Sequence, residues 1–311
     1  MKREHGGRKA QLLRWLGQTE VEWGHDPAQL DLSQLVRTAE WMGKLYGQKG
    51  WFDLTVKGWE HLPPAPGLFV SNHSGGTTIP DVWGLLYAWV ARHGTSRIVH
   101  PLAHDMIFAH PKLGELAAKV GVLRANPRNG RRVLEEWRRD LFVCPGGDKD
   151  TWRPWKDRYK VRFSGRRGYA KLALMTGTPV VPVANAGAHE TLVVLTDGAR
   201  IARTLRFPQL FRAEVFPVHL SVPWGLAVGP WPHLPMPAHL RYQIGPAISV
   251  GPAREDPSDA DIEALDHEVQ TAIQKCLDQL RAEHPDVAER ARRVYRVARR
   301  SMHVLTGRPK S

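Results

Sequence analysis

The stretch Ser71-Asn72-His73-Ser74-Gly75-Gly76-Thr77-Thr78-Ile79-Pro80-Asp81 sets a histidine, two glycines and a carboxylate on one short loop. A neutral imidazole accepts a proton from an attacking hydroxyl near pH 7, and a carboxylate on its other nitrogen fixes the tautomer and stabilises the imidazolium. His73 is therefore the candidate general base and Asp81 its orienting acid. Gly-Gly turns let backbone amides approach a bound group closely, because no Cβ intervenes. Gly146 and Gly147, in Pro145-Gly146-Gly147, offer one such turn, and Gly75 and Gly76 another. The same letters also fit a capping box, in which Thr78 caps a helix and Asp81 reaches back to it.

Strands and helices must hold these residues. Leu68-Phe69-Val70 reads as a short buried strand that delivers His73, and Val82 to His93 as a helix that Gly94 ends. Further strands are predicted near 52–56, 98–102, 141–144, 180–183 and 240–244, and helices near 33–47, 112–120, 131–139, 167–175 and 257–280. This alternation predicts an α/β fold, a central mostly parallel or mixed sheet flanked by helices, with the candidate residues just after strands. Prolines crowd 207–240, so loops and short strands are expected there. The chain divides into a helical lead-in over 1–50, a catalytic domain over 51–250, and an amphipathic helix with a basic tail over 251–311.

Composition narrows the class. With 42% hydrophobic residues the chain supports a sizeable core, and its two cysteines, Cys144 and Cys276, exclude a disulfide framework. The first residues carry charge with no apolar run behind them, so no secretory signal is expected. No apolar run reaches the roughly 20 residues of a spanning helix. A net charge of +13 favours an anionic partner, and twelve tryptophans lean towards a lipid surface. Residues 290–310 carry many arginines and no acid, the pattern of a helix lying on anionic lipid.

Taken together these blocks resemble the glycerolipid and phospholipid acyltransferases. Asn72-His73 with Asp81, then Gly121-Val122-Leu123-Arg124-Ala125-Asn126, the Pro145-Gly146-Gly147 turn and the Pro182 strand ending near His189 follow that family's block order. Gly165 to Leu174 looks like the diacylglycerol acyltransferase branch. The resemblance implies a glycerol-3-phosphate acyltransferase-like fold and O-acyl transfer from a thioester, with acyl-CoA or acyl-carrier protein as co-substrate and neither cofactor nor metal. The implied acceptor is a glycerolipid, first a lysophospholipid or glycerol phosphate derivative, alternatively a neutral diacylglycerol or wax alcohol. Acyl transfer also implies donors already in place for an oxyanion, Gly146 and Gly147 first and Gly75 and Gly76 second, and Asn72, Arg124 and Arg153 join these four glycines as substrate-binding candidates. The implied location is cytoplasmic, peripheral to the inner face of the membrane. Two departures stand out: seven residues separate His73 from Asp81 where the family commonly has four, and Gly146 occupies the place of a usual Glu.

Other chemistries compete for single features. Ser74 beside His73 suggests a hydrolase, but no G-x-S-x-G occurs. His100, His104 and His110 with Asp105 suggest metal ligands, although Pro101 argues against a shared helix. Cys144 suggests an acyl-enzyme, although its apolar strand predicts an inert thiol. The run Trp152 to Phe163 mixes bases and aromatics as a single-stranded nucleic-acid groove does, but no nucleic-acid partner is expected.

Overall fold

A computed structural model describes residues 22–47, 50–204 and 214–284. The predicted lead-in helix over 8–24 falls almost wholly outside the described residues, and the basic segment 290–310 entirely so. In chain order the elements are α1 (Leu32–Tyr46), β1 (Asp53–Lys57), β2 (Leu68–Ser71), α2 (Pro80–His93), β3 (Val99–Ala103), α3 (Pro111–Lys119), β4 (Leu123–Arg124), α4 (Pro127–Arg131), β5 (Asp140–Val143), α5 (Gly147–Thr151), α6 (Gly168–Thr176), β6 (Val180–Ala186), β7 (Val193–Thr196), α7 (Ala199–Thr204), β8 (Val218–Ser221), β9 (Gly225–Val228), β10 (His239–Ile244) and α8 (Asp259–Glu283). These match the predicted strands and helices to within a few residues. The exception is α4, which begins earlier than expected because Asn126 caps the Asn129 N–H and Pro127 opens the first turn; it runs on as a π-helical turn over Arg132–Glu136.

Seven strands form one sheet in the order β1-β10-β6-β2-β5-β3-β4. β6, β2, β5, β3 and β4 are mutually parallel, whereas β10 lies antiparallel to β6 and β1 follows β10. The central strands β2, β5 and β6 are buried on both sides, so they are apolar at nearly every position rather than alternately. Leu68, Val70, Leu141 and Val143 face a core built with α6 and α8, while Phe69, Phe142, Val181 and Val183 face a core shared with α1 and α2. Alternation within each strand thus feeds two cores at once. Both α1 and α8 complete these cores, so the segments expected to flank a domain over 51–250 are packed parts of it. Strands β8 and β9, from the proline-dense region, join β7 in a small antiparallel sheet. Among the described residues no helix is long and apolar enough to cross a membrane.

His100 shows what the histidines near β3 do. Its Nδ1–H donates to the Gly121 carbonyl at 2.8 Å, and its Nε2 lies 3.4 Å from Arg139. Both nitrogens of this fully buried ring are engaged, which leaves neither for a metal; His104 instead caps the Met106 N–H. Burial, foremost, lowers the His100 pKa from 6.5 to about 4; the Gly121 bond pulls it part of the way back up, and the Arg139 charge adds a smaller downward push. The unfolded chain takes up this proton at about pH 6.5 and the folded chain only near pH 4, so this contribution to stability is complete above that window and lost as pH falls through it. Denaturant titrations at pH 7 and pH 4 should therefore show a loss in wild type that exceeds the loss in His100→Gln by about 3 kcal/mol.

Candidate active site

β2 ends at Ser71, and the loop after it must return to its own start within a few residues. It does so through three left-handed residues, Gly75 (φ 101°), Gly76 (φ 66°) and Ile79 (φ 41°). At both glycines a Cβ would run into neighbours, Pro80 in one case and His233 with Leu192 in the other. Ile79 has no such freedom, and a β-branched residue in this region stores roughly 1–3 kcal/mol of strain. Pro80 then opens α2 with its fixed φ, which brings Asp81 in the first turn back over His73.

His73 Nδ1 and Asp81 Oδ2 are 2.7 Å apart. The capping box does not form: Ile79 occupies the N-cap position, and Thr78 Oγ1 bonds the Gly75 carbonyl and His233. Asp81 is only 3% exposed. Its Oδ2 also accepts the Ser74 N–H at 2.8 Å and Asn185 Nδ2–H at 3.0 Å, while Oδ1 accepts the Val82 N–H at 2.9 Å. Tyr242 donates its hydroxyl to the Asp81 carbonyl at 2.7 Å. At the helix N-terminus these donors take the place of water around the Asp81 carboxylate. Burial foremost, and then that negative charge, raise the pKa of the Cys144 thiol and of the Tyr46 and Tyr242 phenols. Cys144 is accordingly held as an unreactive thiol. Ser74 Oγ makes no hydrogen bond to the imidazole, so a serine nucleophile lacks its base.

A second carboxylate holds His73 from behind. Asp150, on α5 and 1% exposed, accepts the His73 backbone N–H at 2.8 Å and pairs with the Arg153 guanidinium. Arg153 also donates to the Lys160 carbonyl. With His73, Gly75, Trp155, His189 and Leu192, Arg153 lines a small pocket. Of the expected oxyanion donors, Gly75 borders this pocket. Gly76 packs beneath His233, and Gly147 gives its N–H to the Cys144 carbonyl. Gly146 lies against Asp150, and its carbonyl accepts from Arg166.

Two residues expected to touch substrate have other work. Asn72 is buried, and its side-chain amide pairs with the Asn185 backbone at both ends, Nδ2–H to the carbonyl at 2.9 Å and Oδ1 from the N–H at 2.8 Å. This imitates a backbone pair and carries the β2–β6 register past the end of the strand. Arg124 sits at the end of β4, three strand spacings from β2 or about 14 Å. There it pairs with Asp105 at 3.0 Å, donates to the Trp23 carbonyl at 2.9 Å and covers the Phe108 ring. The run Trp152 to Phe163 buries Trp152, Tyr159 and Phe163, which removes the stacking faces a nucleic-acid groove needs.

Residues 95–293, more than half of the chain, match the family model described as diacylglycerol acyltransferase. The chain belongs to that family. The matched segment of this family member includes Gly146, Asp150, Asn185 and Tyr242 and begins after His73 and Asp81. An uncharacterized protein of Mycobacterium tuberculosis is 32% identical over 238 residues, covering 75% of this chain and 63% of that protein. One of Mycobacterium leprae is 33% identical over 238 residues, covering 75% and 62%. The chain thus spans somewhat less than two thirds of the length of these curated relatives. A protein of Gallus gallus named DGAT1/2-independent enzyme synthesizing storage lipids is 23% identical over 155 residues, 50% of this chain and 45% of that protein. Among solved structures, the 1-acyl-sn-glycerophosphate acyltransferase PlsC of Thermotoga maritima aligns with a TM-score of 0.47 at 15% identity, covering 82% of this chain and 80% of that one.

Sequence reasoning missed three members of the site, Asp150, Asn185 and Tyr242. Asp150 had a usable signal, an acid one helical turn beyond Gly146. Asn185 and Tyr242 had none, because their links to Asp81 span 104 and 161 residues. Removing Asp150 leaves Arg153 buried without its carboxylate and the His73 N–H without its acceptor. Asp150→Ala should lower unfolding free energy by roughly 3 kcal/mol or more in a denaturant titration, far above an exposed acid such as Glu263.

Proposed function

We propose that this family member is an O-acyltransferase that moves a fatty acyl group from an acyl thioester, acyl-CoA or acyl-carrier protein, to a hydroxyl of a neutral glyceride. The observation that carries the reading is the His73–Asp81 pair at 2.7 Å, set after a central strand and beside a pocket. With Nδ1–H given to the carboxylate, Nε2 is the nitrogen left to accept a proton. It removes the proton of the acceptor hydroxyl as that oxygen attacks the thioester carbonyl. The oxyanion forms beside the Gly75 turn, where backbone amides can approach it closely. Collapse of the intermediate breaks the carbon–sulfur bond, and the imidazolium returns its proton to the departing thiolate. The ester and the free thiol are the products: the proton passes from the acceptor hydroxyl to the thiol, and the imidazole ends neutral as it began.

A neutral acceptor is supported by the state of the arginines. Arg124 pairs with Asp105, Arg153 with Asp150, Arg166 with Asp148, and Arg167 with Glu263; Arg158 bonds the Trp155 carbonyl and stacks over Trp155 and Tyr159. A phosphate held by paired guanidinium groups would have to displace carboxylates from them. The diacylglycerol acyltransferase family match and the storage-lipid name of the Gallus gallus relative support the same reading. A lysophospholipid acceptor is the second reading, favoured by the net charge of +13.

His73→Ala should keep its circular dichroism spectrum and lose turnover by roughly 10² to 10⁴ with a radiolabelled acyl thioester. A folded variant that keeps more than half the wild-type rate would remove His73 from the chemistry. Diacylglycerol and a lysophospholipid, offered side by side to wild type in detergent, should separate the acceptors in favour of diacylglycerol. A strong preference for the lysophospholipid overturns the neutral acceptor.

A further inference from the structure

Between Val215 and Ala238 there is no Asp, Glu, Lys or Arg, in a chain that is 24% charged. The histidines His219 and His233 within it are buried, and burial lowers both pKa values, so the stretch stays neutral. It forms the β8–β9 hairpin and the loop after it. An antiparallel sheet with one solvated face ordinarily alternates apolar inward and polar outward. This one is apolar on both faces. His219 and Ala227 form an inward pair, and the His219 ring lies 5.1 Å from that of Trp152. The neighbouring pairs, Val218 with Val228 and Leu220 with Leu226, point the other way. Leu226 is 65% exposed and Trp224, at the hairpin turn, 54%; Val222 and Trp231 extend the same exposed surface.

The exposed indoles have a further property. Trp224 Nε1–H donates to the Pro232 carbonyl at 2.6 Å, Trp231 Nε1–H to Val228 at 2.8 Å, and Trp51 Nε1–H to Pro235 at 2.8 Å. Each ring can leave water without stranding a donor, which removes the main cost of burying tryptophan. The hairpin is continuous with the candidate active site. Leu192 and Val194, beside β8, line the His73 pocket, and Thr77 Oγ1 reaches the Pro230 and Trp231 carbonyls at 3.4 Å.

We infer that the outward face of the β8–β9 hairpin, with Trp224 and Trp231, docks on the interfacial layer of a lipid membrane and brings the His73 pocket to the lipid. This rests on the lipid-acceptor reading above. A second protein surface of ordinary composition would be met by some charge at the rim, whereas this stretch supplies none. The docking is one side chain deep: β9 is the outer strand of its sheet, and its open backbone edge stays at headgroup level where water can satisfy it. Attachment of this kind persists in high salt, unlike attraction of a basic segment to anionic lipid.

The test uses the full chain, neutral phosphatidylcholine vesicles and 1 M salt, with sedimentation as the readout. Wild type should pellet with the vesicles, and the double variant Trp224→Ser with Leu226→Ser should partition roughly tenfold or more weakly. Its melting temperature and its rate on detergent-dispersed acceptor should match wild type. The single exposed change Leu226→Gln, which leaves the turn intact, should give an intermediate loss. Equal pelleting of wild type and both variants overturns the inference, as does a wild type that stays in solution at high salt. A wild-type dimer that the double variant converts to a monomer, with pelleting unchanged, also overturns it in favour of a second copy on this face. If wild type pellets as expected but transfers no acyl group in detergent, the acyltransferase reading fails and the docking face stands.

Discussion

A carboxylate almost completely withdrawn from water has to find its solvation inside the protein, and in this chain that carboxylate is Asp81. Four donors converge on its two oxygens, and a fifth takes its carbonyl. Those donors come from the β2 loop, from the start of α2, from β6 and from β10. The requirement to satisfy one charge therefore ties together the centre of the sheet, its antiparallel edge and the first helix over it. The His73 imidazole is one of these donors, so the same requirement that stabilises the charge sets the orientation of the ring.

The second buried carboxylate makes the arrangement two-sided. Asp81 grips the ring of His73 and Asp150 grips its backbone N–H. Asp150 also pairs with Arg153, which gives the guanidinium in the pocket wall its counter-charge. The parallel strands make this possible. β2 and β5 end side by side, so the loop that follows one and the short helix that follows the other meet over the same edge.

The fold was legible because it is carried by local patterns: apolar runs of strand length, amphipathic or apolar runs of helix length, and glycines and prolines between them. His73 and Asp81 were legible for a related reason, since both lie within one loop. The two extra glycines could not be interpreted from spacing alone. Only backbone angles show that left-handed residues at 75, 76 and 79 absorb the added length and still close the pair. Thr78 and Asp81 had the letters of a capping box, and the loop conformation overrode it by moving the helix start to Pro80. Arg124 and Arg153 were visible as basic residues near matched blocks; Asp150 stands three residues before Arg153, whereas the Asp105 that engages Arg124 lies 19 residues away with no local pattern to mark it. Asn72 has its side-chain amide bonded to the Asn185 backbone, an arrangement the sequence does not signal, because an amide that completes a strand and one that contacts a ligand read alike.

The partners of Asp81 also differ in how far away they are along the chain, and this bears on the order in which the protein becomes competent. His73 and Ser74 are near neighbours, and a partly folded chain can bring them to Asp81 with little loss of loop entropy. Asn185 and Tyr242 arrive only when β6 and β10 have joined the sheet. During synthesis the histidine and its acid therefore emerge together, long before the strands that seal them from water. Until those strands dock, a solvated carboxylate faces a mobile imidazole, and water weakens their interaction. Assembly of the His73–Asp81 pair is thus coupled to completion of the sheet, and a nascent or partly unfolded chain has both residues without the environment that holds them together.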